Sequence, residues 1–372
     1  MVTAQAIAKA SLRRDPAQLA LALGVGHCIS DGAAGWMIGA LAGHLPPPQL
    51  GALVLLYNLL AFGGQVPAGL LVDRVGRARL FAVGSLALMA TALLLLAGDG
   101  VAGALLPIGL AGVASALFHV AGGAIALRSN GGRAAAIGLF AAPGVLGLAA
   151  GGLIAASAVD PRPALVWLLG AVALAICALR APVSPPAARP ASQTGASHTP
   201  QLDGHDLVMI ALLAAIALRS LVWNVVSLLA EGRHELLLGL ALAATIGKIV
   251  GGPLADRVGW RRYVCSALLL AAPLLALGGG QIAALLLGVA LLQSATPAAI
   301  AMTYRLLPRA PATVAGLTFG AAIAAGGVPL QIADLTPLLR APPLLAAALL
   351  VAALIGHIAT RWPRALRERS YD

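Results

Sequence analysis

Long apolar runs constrain this sequence more than any other feature. Each is close to about 20 residues long, the length a helix needs to cross the hydrocarbon core of a membrane, and short polar segments separate them. Of the 372 residues, 60% are hydrophobic and only 10% are charged, whereas soluble domains average about 25% charged residues. A soluble all-α protein of this composition would lack polar surface. We therefore predict an all-α integral membrane protein with about twelve spanning helices, at 17–42, 48–70, 80–98, 100–128, 133–157, 163–182, 206–230, 235–255, 263–280, 281–305, 311–335 and 341–362.

The basic residues test this count through their positions. Of the 24 Lys and Arg residues, 19 lie in the two termini and in every second loop, and only Arg162, Arg233 and Arg340 lie in the loops between. Loops rich in Lys and Arg stay in the cytoplasm. The asymmetry predicts an even number of spans, a multi-pass protein of the inner (plasma) membrane, and cytoplasmic termini. It also accounts for the net charge of +11 without a nucleic-acid partner.

The chain divides into two halves that repeat each other. Residues 183–205 are rich in Pro, Ala and Ser and interrupt the apolar runs, which predicts a cytoplasmic linker between an N-terminal six-helix bundle (1–182) and a C-terminal one (206–372). The segment Gly69 to Arg79 aligns with Gly252 to Arg262, with seven of eleven positions identical. Each copy ends the second helix of its half. Parallel repeats of this kind are an architecture of secondary transporters.

Both copies of the repeated segment resemble the loop motif G-x-x-x-D-[RK]-x-G-x-[RK]-[RK] of the major facilitator superfamily. The first copy carries Gly69, Asp73, Arg74, Gly76, Arg77 and Arg79, with Ala78 at a position that is usually basic. The second copy fits throughout, with Gly252, Asp256, Arg257, Gly259, Arg261 and Arg262. The glycine and the aspartate are four residues apart and share a helix face. The glycine permits close approach of another helix, and the carboxylate can cap that helix or hold an arginine. The motif is therefore a candidate gate; the alternative is a loop that only sets topology.

Two further stretches resemble the fosmidomycin-resistance branch of this superfamily. The first span carries His27 and Asp31 with the branch's His-x-x-x-Asp spacing, and the fourth carries Phe118 and His119; Val120 departs from the usual proline. The resemblance implies a proton-driven exporter of small drug-like or anionic compounds. The fifth span partly matches an antiporter glycine pattern through Gly138, Gly147 and Gly151. A small-residue packing face would give the same spacing.

Polar residues inside the spans are the candidate substrate and proton-coupling groups. Each charged group costs about 2.5–3.5 kcal/mol at the bilayer centre, so it should face a cavity or a partner. They are His27, Asp31, His119, Arg219, Trp223, Asn224 and Lys248. Arg and Lys bind anions, while Asp and His can exchange protons. Two alternatives stay open: Asp31 paired permanently with Arg219 or Lys248, and His119 as a packing hydrogen bonder.

From these features we expect a secondary active transporter of a small anionic solute or drug that works by alternating access, with proton-coupled export. The alternatives are proton-coupled uptake of a small organic anion and a membrane sensor or scaffold that transports nothing. The sequence contains no P-loop, no Gly-x-Ser-x-Gly and no His-x-x-x-His, and its three cysteines have no metal or redox spacing. We therefore expect no enzyme activity, no metal and no cofactor. The expected partners are the small-molecule substrate, protons and the lipid bilayer, with the protein acting as a monomer.

Overall fold

The protein is helical throughout the part of the chain that its structure describes. A computed structural model describes residues 4–96, 100–157, 159–179, 204–228, 230, 232–277, 280–332 and 342–361. Within these ranges, side chains are described from residue 16 onward, up to 327 in the eleventh helix and over 345–356 in the twelfth. The described helices are α1 (Ala4–Ala42), α2 (Pro47–Val75), α3 (Ala78–Leu95), α4 (Val101–Ser129), α5 (Ala134–Ala155), α6 (Arg162–Ala178), α7 (Gly204–Leu228), α8 (His234–Val258), α9 (Trp260–Leu277), α10 (Ile282–Leu306), α11 (Pro311–Ala315, continuing through Gly316–Ala322 and Ile323–Ile332) and α12 (Pro342–Arg361).

Each predicted span corresponds to one helix, which confirms the predicted all-α membrane fold with six helices in each half. The helices α2 and α8 extend past their predicted ends, to Val75 and Val258. They end there because Gly76 and Gly259 follow with φ angles of +72° and +99°, a conformation that glycine adopts readily and that closes a helix. The predicted linker lies outside the described residues except for its last two, 204 and 205, which begin α7.

The outer surface of the bundle is apolar, as contact with lipid requires. The helices α2, α3, α4, α5, α7, α8, α9 and α10 are long and apolar enough to cross a membrane, by length and composition. Shorter apolar segments are described for α6, α11 and α12. Large apolar side chains such as Leu174 and Trp167 point outward, Trp167 with 80% of its surface exposed. In water such exposure would be costly, whereas lipid tails solvate it.

Each half has an apolar core, the larger of which also includes residues of α10 and α11, and the halves meet mainly along two pairs of helices. In the first half α1 packs along α5, and α3 packs on α4 and α6; in the second, α8 and α9 pack on α10, and α12 packs on α7 and α9. Between the halves, α5 packs against α8 and α2 packs against α11. These pairs correspond to each other in the repeat. The helix α4 also contacts α11, and α5 also contacts α10. We therefore expect a site shared by the halves beside these six helices.

Glycines bring α1 and α5 into close contact. A Cβ atom at Gly147 would collide with the carbonyl group of Cys28, and one at Gly151 would collide with that of Gly32. Backbones that approach this closely are typical of helix pairs in membranes, where small residues replace the missing hydrophobic driving force. Two of the three glycines in the antiporter-like pattern thus pack α5 on α1, and the third, Gly138, packs on the backbone of Lys248 in α8.

Both helices of the α2–α11 pair contain a π-helical segment. These segments are Leu59–Gly63 in α2 and Gly316–Ala322 in α11, and they contact each other across the two halves. A π segment widens the helix locally and often occurs at functional sites. Apolar periodicity gives no sign of such a segment, so the sequence did not predict it.

Candidate functional site

Three polar residues of the first half meet beside the helices that join the two halves. His27 and Asp31 lie on α1 and His119 lies on α4. Nε2 of His27 is 3.1 Å from Oδ2 of Asp31 and 2.9 Å from Nε2 of His119. We call these three residues the His–Asp cluster. His27 is buried, whereas Asp31 and His119 are partly exposed.

The backbone fixes the orientation of both imidazole rings. Nδ1 of His27 lies 2.9 Å from the carbonyl oxygen of Phe140 on α5, and Nδ1 of His119 lies 2.8 Å from the carbonyl oxygen of Ser115 on α4. The Phe140 ring stacks on His27 with centroids 4.9 Å apart. From the second half, the Phe319 ring of α11 meets His119 edge to face at 6.1 Å. The cluster therefore lies in a largely apolar, aromatic enclosure that both halves complete.

Glycine at position 144 leaves the space that the His27 ring fills. A Cβ atom there would collide with Nε2 of His27. Among the residues that the structure describes, the His–Asp cluster is also the group whose side chains could hold a metal ion, since one ligand atom from each lies within 4.8 Å of the others.

Among the described residues, no carboxylate contacts the two buried cations of the second half. Nη1 of Arg219 on α7 donates to Oε1 of Gln293 on α10 at 3.0 Å, while its Nε has no hydrogen-bond partner in the described structure. Nζ of Lys248 on α8 reaches the carbonyl oxygen of Ala141 on α5 at 3.5 Å, the limit of a hydrogen bond. Lys248 interacts electrostatically with both Arg219 and Asp31. Both cations retain unused donors for an anion.

Successive carbonyl groups of α5 receive polar side chains from both halves. The carbonyl of Phe140 accepts from His27, that of Ala141 from Lys248, and that of Ala142 from the Thr245 hydroxyl at 3.2 Å. This stretch of α5 therefore lies between the His–Asp cluster and the cations of the second half.

The structure does not contain the direct pair between Asp31 and Arg219 or Lys248 that the sequence left open. Asp31 contacts His27 instead. Trp223 and Asn224 on α7 are partly exposed and lie apart from the cluster; the Asn224 side chain faces Gly327 on α11. Arg219 also lines a largely apolar cavity among α7, α9, α10 and α12, together with Arg261 of the second motif.

Sequence reasoning missed Gln293 and the acceptor carbonyls of α5. Gln293 is buried and is held by the Thr296 hydroxyl at 3.2 Å as well as by Arg219. A glutamine in an apolar run is a weak signal, because such residues often join helices without binding anything. Backbone carbonyls carry no sequence signal at all.

The first motif caps a helix of the opposite half. Asp73, near the end of α2, accepts the backbone N–H of Ala312 at 3.1 Å through Oδ1, and the N–H and hydroxyl of Thr313 at 2.7 and 2.8 Å through Oδ2. These groups form the first turn of α11, where free N–H groups and the helix dipole favour a carboxylate. A Cβ atom at Gly69 would collide with the Ala312 carbonyl, so the glycine permits this approach.

The second motif forms the corresponding cap in the other direction. Asp256, near the end of α8, accepts the N–H of Ala134 and of Ala135 at 3.0 Å each, in the first turn of α5. The Trp260 indole N–H also donates to Asp256, at 2.7 Å. A Cβ atom at Gly252 would collide with the Ala134 carbonyl. We call these two arrangements the inter-half caps.

The basic residues of the motifs take no part in the inter-half caps. Arg74, Arg77 and Arg257 are exposed. Around the second cap, the guanidinium of Arg305 on α10 lies 3.7 Å from the Trp260 ring centroid, a cation–π contact that the first cap does not have.

Fold and site together define a class of protein. Two repeated six-helix halves that enclose buried charges between them are the architecture of a secondary membrane transporter. The model of the Major Facilitator Superfamily matches residues 20–329, and the chain belongs to that superfamily. This membership points to a transporter rather than an enzyme.

Solved structures of the same fold agree with this assignment. A variant of the fucose:proton symporter FucP of E. coli superimposes with a TM-score of 0.69 at 14% identity, covering 94% of this chain and 98% of that one. FucP in its outward conformation gives 0.70 at 15% identity, with the same coverage. The human organic anion transporter MFSD10 (TETRAN) gives 0.61 at 16% identity, covering 92% and 99%. Comparison with curated proteins gives no significant match.

Proposed function

We propose that this protein carries a small organic anion together with a proton, by alternating access between its two halves. The observation that carries the proposal is the pair of buried cations, Arg219 and Lys248, which keep free donors and have no carboxylate in contact within the part of the chain that the structure describes. Leaving buried donors unused is costly unless a ligand takes them. A carboxylate, phosphonate or phosphate is the ligand that such donors fit.

Charge balance favours binding of the proton and the anion in the same state. An ionised Asp31 repels an anion and attracts Lys248, with which it interacts electrostatically. A proton on the His–Asp cluster removes that negative charge and leaves Lys248 free for the substrate. The two ligands then favour each other's binding, and the coupling is reciprocal. Such coupling supports symport, and with an inward proton gradient it supports uptake.

Proton-coupled export is the second candidate. The sequence expectation was export, from the resemblance to the fosmidomycin-resistance branch and from the glycine pattern of α5. The packing of Gly147 and Gly151 against α1 offers a structural reason for two of those glycines, which weakens the pattern as an argument for antiport. Among proteins of the same fold, FucP is a proton symporter and MFSD10 an organic anion transporter.

The inter-half caps support the alternating-access part of the proposal. Each joins one half to the other through two or more charge-assisted hydrogen bonds at one end of the molecule. We infer that this end is cytoplasmic and that the capped state opens outward, as FucP does in its outward conformation. Opening inward would require both caps to break.

Binding of anions to the purified protein tests the proposed site. Fosmidomycin and a panel of small mono- and dicarboxylates serve as probes. Arg219→Ala should weaken binding of the best probe by about 1.5–3 kcal/mol, or roughly 10- to 150-fold, because a charge-assisted hydrogen bond is lost. The affinity of Arg219→Lys should lie between those of the wild type and Arg219→Ala, since lysine keeps the charge but lacks the planar guanidinium group.

Arg162→Ala is the matched control, because Arg162 pairs with Asp160 at the exposed start of α6, away from the cations. An Arg219→Ala variant that binds every probe as tightly as the wild type would contradict the site. Binding without flux in proteoliposomes would favour the sensor alternative.

A further inference from the structure

The direct contact between two imidazole nitrogens in the His–Asp cluster carries this inference. Nε2 of His27 and Nε2 of His119 are 2.9 Å apart, and the rings meet nearly edge to face, at an interplanar angle of 83°. At this separation a hydrogen bond requires a proton on one of the two nitrogens. Whether this proton is one more than two neutral rings carry depends on where the other ring protons lie.

The contacts of both Nδ1 atoms favour their acting as donors. Each faces a backbone carbonyl oxygen, that of Phe140 for His27 and that of Ser115 for His119, at 2.9 and 2.8 Å. The Ser115 hydroxyl also lies near Nδ1 of His119, but at 3.3 Å it is the longer contact. A carbonyl oxygen can only accept a hydrogen bond, so we assign a proton to each Nδ1. A neutral imidazole has a single N–H. If both rings were neutral, both Nε2 atoms would therefore be bare acceptors pointing at each other.

Two bare acceptors at this distance repel each other, and Oδ2 of Asp31 adds further lone pairs at 3.1 Å from His27. A cation between the acceptors turns the repulsion into attraction. We propose that His27 and His119 share one additional proton between their Nε2 atoms, forming an imidazolium–imidazole pair whose charge the Asp31 carboxylate balances. The pair is then the carrier of the coupled proton; only this link to transport rests on the proposed function.

A divalent metal ion is the competing occupant, because both rings donate Nδ1–H to carbonyl groups as metal-bound histidines do. The separation of the nitrogens argues against it. A tetrahedral zinc ion at about 2.0–2.1 Å from each nitrogen would hold the two nitrogens about 3.3 Å apart. The observed 2.9 Å is shorter and fits an N–H···N hydrogen bond.

The groups around the pair keep its charge balanced. Asp31 contacts the pair from α1, and Cys28 on α1 and the buried Tyr57 on α2 are the further titratable groups close enough to interact electrostatically with Asp31. Lys248 on α8 interacts electrostatically with both His119 and Asp31. The elements α5 and α11 contribute the aromatic rings that contact the two histidines. Release of the shared proton would leave one net negative charge in the cluster, and Lys248 is the cation placed to respond to it.

Solid-state NMR of the ¹⁵N-histidine-labelled protein in lipid vesicles, without any anion, tests the proposal. We expect the two Nε2 signals to be linked by a coupling through an N–H···N hydrogen bond, and one proton per protein to be released as the pH is raised. The variant His119→Asn should lose the coupling and that proton. His44→Asn should keep both, because His44 is exposed in the loop after α1.

Three results would overturn the proposal: two bare Nε2 atoms in the wild type at acidic pH, proton release that is unchanged in His119→Asn, or one tightly bound Zn²⁺ per protein that His119→Asn abolishes. Since no anion is present, each result leaves the anion-binding test of Arg219 unaffected. A failure of that binding test would conversely leave the shared proton standing.

Discussion

Single residues set the geometry of the site, and Gly144 does so because it has no side chain. The His27 ring fills the space beside its Cα, where any side chain would collide with Nε2. The i, i+4 spacing of His27 and Asp31 is enough to place them on one face of α1. The meeting with His119 depends on how α1 and α4 cross, which no spacing in the sequence encodes. The role of the Phe140 carbonyl group could not be predicted from the sequence either, because every residue carries a carbonyl group.

Gly144→Ala should remove the response of anion binding to pH. In the wild type we expect affinity to rise as pH falls, because the proton and the anion favour each other, by roughly 5- to 150-fold for a coupling of about 1–3 kcal/mol. The added methyl group displaces His27 from His119, so the affinity of Gly144→Ala should vary little with pH. Titration of anion binding to the purified variants over a range of pH measures this.

Two other glycines of α5 provide the controls. Gly152→Ala should behave as the wild type, since a Cβ atom there meets nothing within 4 Å. Gly147→Ala should lower the thermal stability through its collision with α1, yet the folded fraction should keep its pH response. A normal pH response in Gly144→Ala would show that the position of the His27 ring is irrelevant to coupling.

At the scale of elements, helix ends hold the two halves together. The Gly-x-x-x-Asp spacing predicted a face suited to close approach and capping, and this follows from helical geometry alone. Which helix is capped could not be predicted, because Asp73 and Ala312 are far apart in the sequence and meet only through the packing of α2 on α11. The π segments at that same crossing were also beyond prediction, since they arise from tertiary contact.

Asp73→Asn and Asp256→Asn should each slow transport while leaving the protein folded. An asparagine keeps one acceptor oxygen, but its NH₂ group would face an N–H of the capped helix, so each variant loses charge-assisted hydrogen bonds of about 1.5–3 kcal/mol apiece. Both aspartates form caps, so we expect the two variants to lose transport rate to a similar extent. The loss should be somewhat smaller for Asp256→Asn, because the Trp260 indole N–H also donates to that side chain. Flux in proteoliposomes and thermal stability are the measurements.

The exposed motif residue Arg74 supplies the control for the caps. Arg74→Gln should change flux little, because its side chain lies outside the cap contacts. The double variant of Asp73 and Asp256 should be slower than either single one. If the double variant transports at the wild-type rate, the motif only sets topology.

The overall architecture of the molecule could be predicted more completely than its site. Apolar runs fixed the twelve helices, and one repeated segment identified the two halves, because both patterns are local in sequence. Orientation in the membrane stays a prediction from the basic residues. A cysteine placed at Ser192 in the linker, with Cys28, Cys177 and Cys265 replaced by serine, should resist an impermeant thiol reagent added outside intact cells. Ready labelling from outside would reverse the orientation.

The direction of coupling between proton and anion can be tested by accumulation under a pH gradient in proteoliposomes, whichever way the protein is oriented in them. With the best-bound anion as probe, symport predicts accumulation in the alkaline compartment, because protons leave the acidic side and carry the anion with them. Protein-free liposomes correct for passive movement of the undissociated acid, and Asp31→Asn should bind the anion but reach no accumulation above that background. Accumulation of the anion in the acidic compartment would establish antiport and contradict the proposed symport.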